Sequence, residues 1–586
     1  MTAREALKTY FGYDDFRPLQ AEIVESVLQG RDTLALLPTG GGKSVCFQIP
    51  TMVMGGLCLV ITPLIALMKD QVENLRNRNI QAAAIYTGMS YEQQKTALDN
   101  CMWGPYHFLY VSPERLESEE FRERLARLPI CLIAVDEAHC ISQWGYDFRP
   151  SYLKIAEIRD VIKSFKVSKF QSSNDETSPS IPILALTATA TPEVVDDIQE
   201  RLTFREKNVL RKSFTRPNIS YVVRETNKKA DEIVHILNRV PGSAIVYVRN
   251  RQRAQELAAY LQEKGISADF YHAGLSSKER SAKQEEWKAF GVESRKSNVE
   301  SQRTRVIVAT NAFGMGIDKP DVRVVIHHDL PDTIEAYFQE AGRAGRDEQK
   351  AFAVLLYDPS DKTKARKRIA DNYPDEETLH NVYHKTCNYL GVGADSGQGA
   401  TFFIDMFDLC KKMHLPVFPT YSALHLLSQM GYFSFDEEQE IQPRVRLRVT
   451  RRELEEYRLS EEENSLVEHL MREYTGIFTE LQYVHKLDDR HQELVALAQK
   501  RIIDYVPRTK ANVLRLSVNR QAEIRIPQEF YKQRKNHYAN KLKAMVEYAE
   551  NKHYCRSQVM LAYFGENDAP ACGTCDICRA ALNTKH

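Results

Sequence analysis

Thr33-Leu34-Ala35-Leu36-Leu37-Pro38-Thr39-Gly40-Gly41-Gly42-Lys43-Ser44 is the most informative stretch of this 586-residue chain. Thr33 to Leu37 is a short apolar run of strand type, Pro38 to Gly42 break it, and a helical pattern resumes over Val45–Ile49. Strand, glycine turn and helix in that order make a cradle for phosphate. Around Thr39, Gly40, Gly41 and Gly42 backbone N–H groups can approach phosphate oxygens, and the helix N-terminus favours anions. Lys43 supplies charge to the β/γ-phosphates, and the Ser44 hydroxyl is a ligand for Mg²⁺. Leu37 stands where such loops usually begin with glycine, so the strand before and the helix after identify this one.

Working outward, apolar runs of the same kind recur at Leu57–Thr62, Phe108–Val111, Cys131–Val135, Ile183–Thr187, Ala244–Val248, Val306–Ala309 and Val322–His327, alternating with amphipathic helical segments. That alternation predicts parallel sheets covered by helices. The pattern restarts near Glu206, which predicts one α/β lobe over 1–205 and a second over 206–360. The polar segments Ser164–Ser180 and Glu293–Arg305 read as surface loops. Beyond Asp371 strands thin out, and helices with β-hairpins are expected. Length alone suggests about three to five domains. With 43% hydrophobic and 27% charged residues the chain is of globular composition, and disordered or fibrous classes are excluded. Its 79 Lys+Arg balance 79 Asp+Glu, which excludes a uniformly basic nucleic-acid binder. Val45–Met68 is uncharged, but Pro50, Gly55, Gly56 and Pro63 interrupt it, so no membrane span is expected. Arg4, Glu5 and Lys8 stand where a secretory signal needs an apolar core; a cytoplasmic protein with reduced cysteines is expected.

Two further clusters belong with the phosphate cradle. The run Cys131–Val135 delivers Asp136-Glu137-Ala138-His139 at its C-terminal end, where open α/β sheets place ligands. Two carboxylates at a phosphate site allow a division of labour: Asp136 holds Mg²⁺, and Glu137 orients and deprotonates the attacking water. Phosphoryl transfer also needs positive charge on the transferring group. Arg343 and Arg346 lie three apart, on one face if helical, and both are expected to reach a cleft between the lobes.

Taken together, Phe11-Gly12-Tyr13, Phe16-Arg17-Pro18-Leu19-Gln20, PTGGGKS at 38–44, ITPLIALMKDQV at 61–72, DEAH at 136–139, SQWGYDFRP at 142–150, TATA at 187–190, VATNAFGMGIDKPDVR at 308–323 and QEAGRAGRD at 339–347 resemble the RecQ family of superfamily 2 DNA helicases. The resemblance implies two RecA-like P-loop lobes that hydrolyse ATP and unwind DNA with 3′→5′ polarity in recombination and repair. It also implies that Tyr13, Arg17 and Gln20 contact adenine, that Asp318 lies on the ribose side, and that Arg346 is the arginine finger. In the most family-specific segment Trp144 and Phe148 offer stacking faces for bases and Arg149 a phosphate contact; Tyr146 stands where the family more often has His. The partners implied are single-stranded DNA, forked or tailed duplexes, and single-stranded-DNA-binding and recombination proteins, with association to the nucleoid in a bacterium. An RNA helicase, or a DNA translocase that separates no strands, is the alternative.

Cys555, Cys572, Cys575 and Cys578 follow as C-x16-C-x2-C-x2-C, a spacing suited to tetrahedral Zn²⁺ in a closed site. An iron–sulfur cluster is the rival, but the x3-Cys-Pro of the ferredoxin run is missing. RSQVMLAYFGE…CGTCDIC resembles the RecQ zinc module, here at 528–580 and preceded by an unusual region over 375–527. That region reads as mainly helical and of winged-helix type, in two successive segments. The first has helices at Phe403–Met413 and Tyr421–Met430 and strands at Tyr432–Phe435 and Val445–Val449; the second has helices at Leu466–Tyr474 and Leu494–Lys500 and paired strands at Ile502–Val506 and Val513–Val518. Arg444, Arg446 and Arg448 alternate with apolar residues, predicting one basic strand face for DNA. Over 499–526 seven Lys/Arg stand against two Asp/Glu, a local excess of five.

Overall fold

A computed structural model describes residues 1–38, 42–86, 89, 91–142, 144–145, 148–169, 181–291, 303–314, 319–441, 443–457, 459–474, 476–479, 482–484, 490–506 and 509–583. They divide into two compact units, Met1–Ala365 with His537–His586, and Arg366–Asn536.

The first unit contains two parallel sheets. In chain order the strands of the first are β1 (Thr33–Leu36), β2 (Leu57–Ile61), β3 (Gln81–Ile85), β4 (Tyr106–Val111), β5 (Ile130–Val135), β6 (Ile183–Thr187) and β7 (Val209–Arg211), laid side by side as β3-β4-β2-β5-β6-β1-β7. Those of the second are β8 (Ile219–Glu225), β9 (Ser243–Tyr247), β10 (Ala268–Tyr271), β11 (Val306–Ala309), β12 (Val322–His327) and β13 (Ala351–Tyr357), in the order β10-β11-β9-β12-β13-β8. Helices cover both faces, so β1, β2, β6, β9 and β11 are buried along their whole length. Only β6 separates β1 from β5, and all three run parallel. The segment after β1 and the carboxylates after β5 therefore emerge at the same edge.

Three boundaries differ from expectation. β7 pairs with β1, so Val209–Arg211 belongs to the first sheet and the changeover between lobes lies beyond Arg211, not at 205/206. The helix starting at Val45 does not stop at Ile49 but continues through Pro50 to Met54. The expected loop Ser164–Ser180 is helical as far as Lys169, while 170–180 and 292–302 lie outside the described residues.

In the second unit the helix Glu376–Tyr389 is followed by β14 (Thr401–Ile404), the helices Met406–Met413 and Val417–Gln429, and β15 (Phe433–Ile441). The antiparallel sheet β14-β19-β15 is completed by β19, Thr509–Leu516. One helix, one strand, two helices and two strands in this order are the elements of a winged helix, packed on Leu379, Tyr383, Leu409, Leu424, Leu427 and Leu514. Between β15 and β19 is a smaller module: β16 (Arg444–Leu447), the helix Glu461–Glu473, β17 (Gln482–Tyr483), the helix His491–Gln499 and β18 (Ile503–Val506). Its sheet runs β17-β16-β18 over a separate core that includes Val445, Leu447, Leu466, Leu470, Leu494 and Leu497. The two expected segments thus do not stand one after the other. The second is nested in the first, where the wing would turn. Phe403 and Ile404 are strand rather than helix, pairing with Val513 and Asn512. β18 and β19, expected to form one hairpin, belong to different sheets.

Candidate active site

Leu37 is fully buried and its amide donates to the Thr187 carbonyl at 3.0 Å, which ties the chain to β6 before it turns. This is the physical use of a leucine where glycine is usual. Thr39, Gly40 and Gly41 lie outside the described residues. Gly42 has φ +74°, and a Cβ there would fall 2.4 Å from Gln20 Nε2. Gln20 is itself buried; its Nε2 donates to the Gly42 carbonyl at 3.0 Å while its Oε1 accepts from the Arg17 amide at 2.9 Å. One side chain therefore locks the segment Arg17–Gln20 to the exit of the glycine turn. Lys43 and Ser44 directly precede the helix Val45–Met54, whose first-turn amides donate to the carbonyls of Gly42, Lys43 and Ser44 and whose N-terminal end, by its dipole, favours an anion.

Asp136 is held at the end of β5 by its amide, which donates to the Ile61 carbonyl at 2.9 Å, and by the Tyr152 hydroxyl, which donates to its carbonyl at 3.0 Å. Glu137 adopts φ +47°, a left-handed conformation that costs a non-glycine residue on the order of 1 kcal/mol. Its carboxylate is gripped on both sides, with Lys43 Nζ 3.4 Å from Oε1 and His139 Nδ1 3.3 Å from Oε2. The buried His139 ring also meets Thr187 Oγ1 at 2.9 Å. Burial and the neighbouring Glu137 charge push the Asp136 carboxyl up to about 6. Burial acts on Glu137 in the same direction, but Lys43 and the His139 hydrogen bond outweigh it and hold this carboxyl down at about 2. Two half-buried carboxyls beside one lysine are short of positive charge. With the Ser44 hydroxyl on the same cavity, this oxygen donor set fits a hard divalent cation such as Mg²⁺.

A cavity of about 680 Å³ joins these groups. Tyr13, Arg17, Gln20, Gly42, Lys43, Ser44, Asp136 and Glu137 line it from the first lobe, and Arg346 lines it from the second. Arg343 does not. The helix Ile334–Ala341 ends before both arginines, which lie in turns rather than on one helical face. Arg343 is buried, donates to the Gly314 carbonyl, and lines a separate cavity of about 440 Å³ together with Arg149, Arg249 and Asn311. The expectation that both arginines share one cleft therefore fails for Arg343. Asp318 lies outside the described residues. Sequence reading gave no role to His139 and Thr187, which orient Glu137, although both stood inside quoted motifs. It also missed Asp70, Glu73 and Asn74 of the helix Ile65–Arg76, and Glu285 and Lys288 at the end of the helix Ser277–Lys288, all on the cavity wall. Asp70 falls in the motif at 61–72; nothing in local sequence marks Lys288.

Trp144, Phe148 and Arg149 are half-buried near the carboxylates, and Arg149 Nη1 donates to the Pro63 carbonyl at 3.3 Å; Tyr146 lies outside the described residues. In the second unit Val445, Leu447 and Val449 are buried, and the intervening arginines face away from that core. Arg446 and Arg448 share Asp504, at no more than 3.0 and at 3.4 Å, and the Arg444 guanidinium lies 5.1 Å from the Phe403 ring centre.

At the C-terminus the four cysteines converge as their spacing predicts. A tetrahedron of sulfurs about 2.3 Å from a central Zn²⁺ has edges of about 3.8 Å. Cys555 Sγ is 3.4 Å from Cys572 Sγ and 4.0 Å from Cys575 Sγ, and all four ligand atoms lie within 4.8 Å of one another. Backbone amides of Cys575 and Cys578 point at the sulfurs of Cys572 and Cys575, at 3.3 and 3.4 Å. Asp576 anchors the module, accepting from the Val223 amide of β8 and pairing with the buried Arg556. No helix among the described residues is long and apolar enough to cross a membrane.

Three family models match the chain: DEAD/DEAH box helicase over residues 17–198, the helicase conserved C-terminal domain over 227–348, and RecQ zinc-binding over 517–579. The ATP-dependent DNA helicase RecQ of Haemophilus influenzae is 41% identical over 361 residues, covering 61% of this chain and 54% of that protein. The RecQ of Pasteurella multocida is 40% identical, with 61% and 53% covered. RecS of Bacillus subtilis, named a probable ATP-dependent DNA helicase, is 40% identical over 363 residues, which are 61% of this chain and 67% of that protein. The match thus spans about half the length of the Haemophilus and Pasteurella relatives.

Proposed function

Because this chain belongs to the RecQ family of helicases, we propose that it is an ATP-dependent DNA helicase that moves 3′→5′ on single-stranded DNA and opens duplexes during recombination and repair. The observation that carries this reading is the single cavity on which Lys43, Ser44, Asp136 and Glu137 of one lobe meet Arg346 of the other. Lys43 lies against Glu137 at 3.4 Å. A triphosphate entering the cavity competes for that ammonium and leaves Glu137 oriented by His139 alone, with an oxygen available to a water molecule. Ser44 and Asp136 would hold Mg²⁺, which neutralises phosphate oxygens. Tyr13 and Arg17 border the part of the cavity proposed for adenine. Arg346 reaches the transferring group only while the lobes are together, so hydrolysis is tied to lobe closure. Trp144, Phe148 and Arg149 are the proposed DNA contacts near the carboxylates, and Arg444, Arg446 and Arg448 a proposed phosphate track in the second unit.

Phosphate release, measured with and without single-stranded DNA, tests the assignment. Lys43→Ala should abolish turnover, a fall of at least about 10²-fold, while leaving DNA affinity largely intact. Turnover retained in that variant contradicts the reading.

A further inference from the structure

The segment that follows Glu137 and the helix that leads to Arg346 meet on one buried ammonium. Lys541, on the helix Gln528–Glu550, places Nζ 2.7 Å from the Trp144 carbonyl and 2.8 Å from Glu335 Oε1. The Lys541 and Glu335 side chains are only 8% and 3% exposed. One turn earlier on the same helix face, His537 Nε2 donates to the same carbonyl at 2.9 Å, and its ring centre lies 5.2 Å from that of Trp144. Glu335 accepts a further hydrogen bond, from the Tyr563 hydroxyl of the zinc module, at 2.9 Å. It occupies the first turn of the helix Ile334–Ala341, beyond which the chain turns to place Arg346 on the nucleotide cavity.

A buried ammonium is tolerated while its acceptors surround it and becomes costly when one is withdrawn. Lys541 draws one acceptor from each lobe, so displacement of the Trp144 segment penalises the present position of the Glu335 helix, and the reverse. No group of the nucleotide cavity or of the cysteine cluster requires a lysine here. We propose that Lys541 is a positioning residue that couples the Trp144 segment to the helix preceding Arg346, with His537 as a second hold on the same carbonyl. Through it, nucleic acid on the aromatic segment changes the rate of hydrolysis. This rests on the helicase reading above and adds to it a residue that transmits DNA occupancy without touching DNA or nucleotide.

The test uses the full chain, oligo-dT as the probe, and two readouts: ATP turnover with and without oligo-dT, and oligo-dT affinity by fluorescence anisotropy. Lys541→Met should keep basal turnover and affinity within about twofold of wild type and lose at least about fivefold of the stimulation, the lower end of ordinary coupling. Lys541→Arg, which can still donate to both acceptors, should retain most of it. If Lys541→Met does not fold, the double variant K541M/E335Q, which removes both charges of the buried pair, should show the same loss. Stimulation equal to wild type in either folded variant overturns the proposal, as does a loss that merely follows weaker oligo-dT binding. A wild-type chain that hydrolyses ATP without responding to oligo-dT overturns this inference and leaves the nucleotide site standing; no hydrolysis at all removes both.

Discussion

Asp136 and Glu137 are adjacent carboxylates with opposite electrostatic fates, and the difference is set by what faces each. Glu137 has Lys43 and His139 on its two oxygens and stays ionised; Asp136 has burial and its neighbour's charge, and its carboxyl rises from 3.8 to about 6. A carboxyl raised in the folded state adds stability below its unfolded value, and that stability is lost as pH rises through the folded value. At pH 7.5 the folded protein without a cation therefore bears the full penalty of ionised Asp136, and at pH 5, between the unfolded and folded values, about half of it. Asp136→Asn should raise the melting temperature at pH 7.5, by an amount that corresponds to at most about 3 kcal/mol, and should have a smaller effect at pH 5. Added Mg²⁺ should narrow the gap by stabilising the wild type. Thermal unfolding at the two pH values checks this, and a difference that does not change with pH contradicts it. At this scale much of the site was legible. Lys43, Ser44, Asp136, Glu137 and Arg346 were each named from local pattern or resemblance and share one cavity. Arg343 was misplaced because three-residue spacing implies a common face only in a helix, and the helix stops at Ala341. Lys288 was invisible because its place on the cavity is made by the packing of two lobes, which no local motif encodes.

Among the elements, the eight apolar runs quoted from the two lobes match strands to within two residues, whereas β3, β7, β8, β10 and β13 were passed over, three of them for identifiable causes. β3 is Gln-Ala-Ala-Ala-Ile, β10 is Ala-Asp-Phe-Tyr and half exposed at its centre, and β13 contains a single β-branched residue. Each is specified by sheet neighbours more than by its own composition. The nested module was misread for a related reason: helix and strand types were largely right, but pairing is long-range. Ile441 and Thr509 are direct partners across β15 and β19, so the winged-helix sheet is already closed where the module departs. The module has its own core. Replacing residues 442–508 by an Asn-Gly turn should therefore leave the rest of Arg366–Asn536 folded and at least as stable, since a shorter loop costs less to close. Circular dichroism and limited proteolysis of the shortened chain test this; loss of structure beyond that of the module counts against it.

For the molecule as a whole, zero net charge conceals local pairing. Part of the basic excess over 499–526 is satisfied internally: Lys500 meets Glu463 at 2.7 Å, and Arg520 donates to the Val392 carbonyl at 2.7 Å. The cysteine cluster has a structural role beyond its own segment, since Asp576 beside it binds the Val223 amide of β8. Stripping the metal with a chelator should release one Zn²⁺ per chain and lower the melting temperature, and Cys575→Ser should reproduce the loss without chelator. An unchanged melting temperature after stoichiometric release contradicts a structural role. The central claim is that one cavity shared by two lobes drives directional opening of DNA. ATP-dependent unwinding of matched 3′-tailed and 5′-tailed DNA duplexes, run beside an RNA duplex of the same sequence, tests it most directly. The account predicts that the 3′-tailed DNA opens and the others do not, whereas preference for the 5′ tail or for RNA would contradict it.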